Sequence, residues 1–314
     1  MPNTSVSLIM GLVLATLIHK RPWWNIYNRR RLWGLIFVLP ALTFFALFAF
    51  YPMANAFYIS LTEYRLISPP VFSGLENYAH LLEDQRFRIS LGNTFLFVAG
   101  SAVPIWVISL ALALLLAGRF WGRNFVRTLY FVPVIISGVV VSMVWRVLYH
   151  PYGPVNALLG PLLGFAPNWL TQRNLAPWAI VAMNVWQSVG FYMLIFIAGL
   201  QNIPEVFYDA AKVDGANRRQ LLRHITLPLL KPTTLFVMVI SLIDGFQSFT
   251  YQYMLTKGGP SDATNVIALY IYQNAFQYLN MGYASALSLV MFVIIMVLTL
   301  VQLRIVRSEE GLYA

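Results

Sequence analysis

Residues 204–232, PEVFYDAAKVDGANRRQLLRHITLPLLKP, form a polar and basic insert between two long apolar runs. Pro204 suits the first position of a helix, where its missing N–H costs nothing, with Asn202 or Ile203 at the cap. The spacing predicts a short helix over EVFYDAAKVD that stops at Gly215, the residue that most readily adopts left-handed backbone. Asn217 then caps a second helix through RRQLLRHIT, and Pro228 closes it and opens the next apolar run. The first helix carries the small residues Ala210 and Ala211 and, past the turn, Ala216, beside Val206, Phe207 and Tyr208. Small residues let a partner backbone come close while larger ones seat in a groove, a helix-in-groove mode of recognition. The residues alone equally allow an amphipathic loop lying on a lipid surface, held by its arginines.

Working outward, the composition sets the class. Hydrophobic residues make up 59% of the chain and charged residues 10%, and the mean hydropathy is +0.68, outside the range of soluble domains. An integral membrane protein is expected. A bilayer core of about 30 Å needs roughly 20 apolar residues per spanning helix, and six runs satisfy this: about 33–61, 92–117, 128–148, 177–199, 232–254 and 283–303. Backbone groups in lipid must be satisfied within the segment, and the short alternating strands of an outer-membrane barrel are missing from the pattern, so an all-α bundle of six membrane-spanning helices is predicted.

The net charge of +10 raises the question of nucleic acid. Placing the cations relative to the spans removes it. Lys20, Arg21, Arg29, Arg30, Arg31, Arg119, Arg123, Arg127, Lys212, Arg218, Arg219, Arg223, Lys231, Arg304 and Arg307 fall on one side, which is 15 of the 21. Arg65, Arg86, Arg88, Arg146, Arg173 and Lys257 fall on the other. The positive-inside rule puts both termini and the 204–232 loop in the cytoplasm. The chain has no cysteine, which excludes disulfides and thiolate metal sites.

Residues 5–18, SVSLIMGLVLATLI, are apolar but short for a span. No basic segment precedes them and no small-residue cleavage site follows, unlike a signal peptide. Residues 1–28 are therefore assigned to a peripheral or disordered extension, in preference to a seventh span. The spanning domain is placed at 29–307 and a cytoplasmic tail at 308–314.

The skeleton Asp209-Ala210-Ala211, three residues, Gly215, nine residues, then Ile225-x-Leu227-Pro228 resembles the EAA loop of the membrane-spanning subunits of ABC importers. The resemblance to carbohydrate-type importer permeases, of the maltose and glycerol-phosphate group, covers residues 29 to 307. It includes WGLIFVLPALTFFALFAFYPMANAFYISLTEY in the first span, GLENYAHLL, WQSVGFYMLIFIAGLQNIP before the loop, and TKGGPSDATNVIALYIYQNAFQ after the fifth span. The last of these resembles the first-permease type, which implies a second, non-identical permease. Asp209 replaces the usual glutamate and shortens its reach by one methylene.

The resemblance further implies a bacterial or archaeal plasma membrane, two cytoplasmic ATPase subunits, and an extracytoplasmic binding protein that delivers a saccharide to the loops at 62–91, 149–176 and 255–282. Residues 205–216 would be the coupling helix, with Glu205, Tyr208, Asp209, Ala210, Ala211, Asp214, Gly215 and Ala216 as its contacts. No GxxxxGK[ST] sequence occurs in this chain, so ATP and Mg are expected on the partner ATPases, with no cofactor and no enzyme activity here.

Charge is costly inside a bilayer, which singles out Asp244 in the fifth span. Helical spacing sets Ser241, Asp244, Gln247, Ser248 and Tyr251 on one broad face, and Asn184, Gln187 and Ser188 on a face of the fourth span. Hydrogen-bonding groups beside aromatic rings suit a sugar, and the resemblance implies that the fourth to sixth spans line the pathway. Polar residues in membrane helices also serve as interhelical glue. A secondary transporter or channel for a small polar solute is the alternative, but it would usually show several intramembrane ionisable groups or repeated broken helices. His19, His80, His150 and His224 all lie outside the spans, without metal-ligand spacing. A carboxylate with no obvious buried base mildly favours a neutral saccharide over an anionic sugar phosphate, a preference that the partner permease, which contributes half of the lining, could reverse.

Overall fold

The computed structural model describes residues 26–118 and 120–310, so the apolar run at 5–18 lies outside the described residues. The chain divides into two compact units, Met1–Tyr58 and Ile59–Ala314. In the first, helix α1 (Ile26–Phe45) passes through a π turn at Ala46–Phe50 into α2 (Tyr51–Ser60). The π turn lets the Tyr51 N–H bond the Ala46 carbonyl five residues back, just ahead of Pro52, which has no N–H to give to the helix ladder. The side chains from Leu32 to Asn55 are exposed, with Phe37 at 78% and Phe48 at 69%. Residues Leu32–Ser60 are long and apolar enough to cross a membrane.

The second unit begins with a small antiparallel ribbon of β1 (Thr62–Glu63) and β2 (Val71–Phe72), in which Thr62 pairs with Phe72 and Glu63 with Val71. Helix α3 (Glu76–Glu83) leads to α4 (Gln85–Ala117), which Asp84 caps by accepting the Arg86 N–H at 2.8 Å. Next come α5 (Arg123–Ile135), α6 (Gly138–Leu148), α7 (Pro154–Leu163) and α8 (Ala176–Gln201). Helices α4 and α8 run side by side as the central pair. Ser109 Oγ donates to the Val189 carbonyl at 3.1 Å, and Ile105, Ala113, Met193, Phe196 and Val237 close the core around them. Gly190 sits where the α5 backbone crosses: a methyl there would collide with the Tyr130 carbonyl.

Four helices satisfy the length and hydropathy of a span (Leu32–Ser60, Gln85–Ala117, Ala176–Gln201 and Met281–Ile305), and two bent pairs bring the number to six if each pair is one span. The bends correct the sequence reading. The continuous helix expected over 128–148 is broken by 98° between α5 and α6, because Ile136 and Ser137 are extended at ψ 133° and 136°. Helix α9 (Glu205–Val213) follows α8, with Pro204 itself at the cap rather than at the first helical position. In α10 (Arg218–Leu229) Pro228 does not close the helix. A π turn at Leu222–Thr226 carries the chain past it, and the 60° bend falls at Leu230, ahead of Pro232 in the first turn of α11 (Lys231–Gln247). The fifth run, expected to 254, breaks at Ser248 and Phe249 and resumes as α12 (Thr250–Thr256).

The remaining elements are α13 (Ile267–Tyr272), a π turn at Gln273–Gln277, and α14 (Met281–Glu310). At the end of α4 distant from the 204–230 loop, a carboxylate ties three segments together. Asp84 Oδ2 accepts from Tyr270 Oη at 2.7 Å and from Tyr283 Oη at 2.6 Å. Burial alone would raise the Asp84 pKa, but these two hydroxyls and the backbone N–H groups of Phe87 and Arg86 outweigh it and hold the carboxyl below its ordinary value. Burial and the same carboxylate push Tyr270 up to about 12. Arg86 reaches Asp262 at 3.3 Å, and Asn93 Nδ2 donates to the carbonyls of Asp262 and Asn265, fixing 257–280 on the start of α4.

Gly190→Ala would force α5 and α8 apart, and overpacking of this kind costs about 1–3 kcal/mol. A lower melting temperature of the purified protein is the expected result, with Gly92→Ala, where nothing stands within 4 Å, unchanged.

Candidate functional site

A cavity of about 460 Å³ opens among α4, the α5–α6 break, α8, α11 and α12. Asn184, Ser188 and Tyr192 recur every four residues along α8 and so present one face to it. Ser241, Asp244 and Gly245 do the same from α11, and Gln247, Ser248, Thr250 and Tyr251 complete that wall. Ser101 comes from α4, and Ser137 and Gly138 from the break. Gly138 lies against the Tyr251 ring, 3.1 Å from where a β-carbon would stand, so a bare backbone lets the aromatic ring meet the bend.

Polar contacts order the walls. Tyr192 Oη donates to Asp244 Oδ2 at 2.9 Å, joining α8 to α11. Trp106 Nε1 donates to Ser241 Oγ at 2.7 Å, and that hydroxyl donates to the Met238 carbonyl. Asn184 Nδ2 lies 3.5 Å from Ser188 Oγ. Asp244 is exposed to the opening, and among the described residues no cation pairs with it. A carboxylate turned to lipid at the centre of a span costs roughly 2.5–3.5 kcal/mol or more, so this wall must meet water, a solute or another protein.

Of the residues the sequence marks for the pathway, Asn184, Ser188, Asp244, Gln247, Ser248 and Tyr251 line this one cavity. Gln187 does not. It is buried, and its Nε2 donates to the Ile136 carbonyl at 3.0 Å, supplying a partner to backbone that the break leaves without a helical bond. Sequence reasoning missed Tyr192, although it stands four residues beyond Ser188 on the Asn184 face and helical spacing finds it. Ser137 and Gly138 were hidden because the run containing them reads as unbroken.

The loop site lies at the other end of α8. Gly215 has φ +83°, Ala216 N–H bonds the Ala211 carbonyl at 2.9 Å, and Asn217 and Gln220 form a reciprocal capping box. Glu205, Asp209, Ala210, Asp214 and Gly215 are exposed, whereas Tyr208, Ala211 and Ala216 are half-buried. Tyr208 turns inward, its hydroxyl 3.1 Å from Thr226 Oγ1, so it ties α9 to α10 instead of projecting beside Val206 and Phe207. Lys212 pairs with Asp209 at 2.9 Å. Val206, Phe207 and Val213, exposed by 66%, 48% and 88%, form an apolar edge on a helix bounded by charge. Among the described residues no group of three or more His, Asp or Glu side chains could hold a metal.

Residues 85–310 match the family described as binding-protein-dependent transport system inner membrane component. The probable ABC transporter permease protein YesP of Bacillus subtilis (strain 168) is 39% identical over 275 residues, covering 85% of this chain and 88% of that protein. The trehalose/maltose transport system permease protein MalF of Thermococcus litoralis is 36% identical over 286 residues, covering 88% and 94%. A crystal structure of a bacterial ABC transporter involved in the import of the acidic polysaccharide alginate superposes with a TM-score of 0.78 at 25% identity, covering 92% of this chain and 99% of that one. A second, of a bacterial alginate ABC transporter in complex with an alginate pentasaccharide-bound periplasmic protein, gives 0.76 at 26% identity, covering 90% and 96%.

Gln187→Leu leaves the Ile136 carbonyl without its partner, and a buried unsatisfied group costs about 1–3 kcal/mol. The melting temperature of the variant should fall by several degrees. An unchanged value would mean that the break does not need the amide.

Proposed function

Because this chain belongs to the family of binding-protein-dependent transport system inner membrane components, we propose that it is the permease subunit of an ATP-driven saccharide importer in a bacterial or archaeal plasma membrane. The observation that carries the saccharide reading is the convergence of serines, amides, tyrosines and one carboxylate on a single cavity between otherwise apolar helices. Sugar hydroxyls need such partners and sugar CH faces pack on rings. The sugar assignments of the relatives support it. This chain would form half of the pathway, with a second, non-identical permease forming the other half and an extracytoplasmic binding protein delivering the saccharide to the end that carries the Asp84 knot. With six spans, each bent pair counted as one, both termini and the 204–230 loop are cytoplasmic.

The energy comes from two ATPase subunits, which hold ATP and Mg, while this chain is not itself an enzyme. Residues 205–216 are their docking element: Val206, Phe207 and Val213 offer the apolar edge, and Glu205, Asp209 and Asp214 the charges around it. Ala210, Ala211 and Ala216 permit close approach, and Gly215 sets the elbow. Supporting this is a continuous covalent and hydrogen-bonded line from loop to cavity. Tyr208 links α9 to Thr226 on α10, α10 bends at Leu230 into α11, and α11 carries Asp244. Closure of the ATPases on ATP would move α9 and, through this line, tilt α11 at the cavity.

Gly215→Asp places a side chain at positive φ in the elbow and a charge on the docking face. The variant should co-purify with its partner permease but lose the ATPase, and ATP-driven uptake should fall at least tenfold. Retention of the ATPase by the variant would contradict the docking role of the loop, and recovery of the wild type alone or as a homo-oligomer would contradict the importer reading.

A further inference from the structure

Family membership leaves the charge of the sugar open, since one relative is named for the neutral disaccharides trehalose and maltose and another for an acidic polysaccharide. The cavity of this chain speaks to it directly. Among the residues lining it stands one carboxylate, that of Asp244, and no lysine, arginine or histidine. Arg146, the cation next along the third run, points elsewhere: it donates to the Leu255 carbonyl and lines a separate cleft with Trp169 and Pro260.

Asp244 is held in place by Tyr192, which donates to its Oδ2, and the exposed carboxylate has no cationic partner among the described residues. Its remaining acceptor capacity can take hydroxyl donors. Neighbouring Ser188, Ser241 and Ser248 hydroxyls and the Asn184 and Gln247 amides both donate and accept, so a neutral polyol finds partners of either kind. A uronate, phosphate or sulfonate would meet the like charge of Asp244 on the same wall, in surroundings less polar than water, with no counter-charge from this chain to offset its lost hydration.

We infer that Asp244 makes this cavity a charge filter, admitting neutral saccharides and rejecting anionic ones, with Tyr192 as the residue that positions the carboxylate. The inference rests on the saccharide-importer reading and adds to it a specificity-determining residue. Because a rejected isostere differs only in charge, the discrimination arises from repulsion. It should be at least tenfold and should shrink as ionic strength rises.

The test uses the importer purified with its own partner subunits, without the binding protein, so that delivery does not impose its own selection. Maltotriose and trigalacturonic acid, a neutral and an anionic trisaccharide, are titrated by equilibrium dialysis against the wild type, Asp244→Asn and Ser188→Lys. The wild type should bind maltotriose at least tenfold tighter. Asp244→Asn should narrow the ratio to threefold or less, chiefly by gaining the uronate, and Ser188→Lys should do so with Asp244 intact. Equal binding of the two sugars by the wild type, or a preference that both variants leave unchanged while still co-purifying with their partners, would overturn the filter and leave the importer reading standing. Binding of neither sugar by wild type or variants would instead remove the cavity as a saccharide site.

Discussion

A backbone carbonyl or a carboxylate left unpaired in hydrocarbon costs several kcal/mol, and the second unit of this chain is arranged around that constraint. Long helices satisfy their own backbones wherever only apolar side chains surround them. Where the chain breaks, at Ile136–Ser137 and at Ser248–Phe249, the breaks face the polar cavity, and Gln187 reaches across from α8 to the Ile136 carbonyl. The only described carboxylate in the middle of an apolar run, Asp244, lies on that same cavity with a tyrosine donor. These two breaks and the polar side chains thus share one location.

The apolar runs were legible because length and hydropathy decide them, and so was the elbow, because Gly215 and Asn217 are residues whose backbone and capping preferences act locally. The bends were less so. Pro228 reads as a helix terminator, yet a π turn one step earlier shifts the hydrogen-bond ladder so that no donor is missed, and Pro232, in the first turn of α11, marks the true boundary. The break after Ile135 leaves only Pro133 and the Ser137-Gly138 pair as its trace, and those occur in unbroken membrane helices too. Helical spacing grouped Asn184 and Ser188 with residues of the fifth run, which line one cavity, and carried Gln187 along with them. Its true partner is a carbonyl 51 positions away, and no local pattern encodes such a contact.

The two ends of the second unit differ in how firmly they are tied. Around Asp84, two tyrosine hydroxyls, a helix cap and the Arg86–Asp262 pair hold α4, 257–280 and α14 together. At the loop end α9 hangs from a buried Ile203 and the Tyr208–Thr226 contact. A helix attached by few contacts, with exposed apolar side chains, is suited to being moved by a partner, and the bend at Leu230 is where that movement would enter α11. On the proposed mechanism, the anchored end keeps its geometry while the loop end and the cavity change.

The central claim is that the cavity between α8 and α11 is a water-filled pathway whose access changes with the nucleotide state of the ATPases. The natural absence of cysteine makes single-cysteine variants clean reporters. The most direct measurement places cysteine at Ser188 or Ser248 on the cavity, and at Ser109, buried between α4 and α8, as control. Labelling of the assembled importer by a membrane-impermeant thiol reagent is then followed from each side, with and without trapped ATP. The account predicts labelling at 188 and 248 that moves from one side to the other on ATP trapping, with 109 unreactive throughout. Cavity cysteines that stay unlabelled in both states, or label identically from the same side whatever the nucleotide, would contradict it.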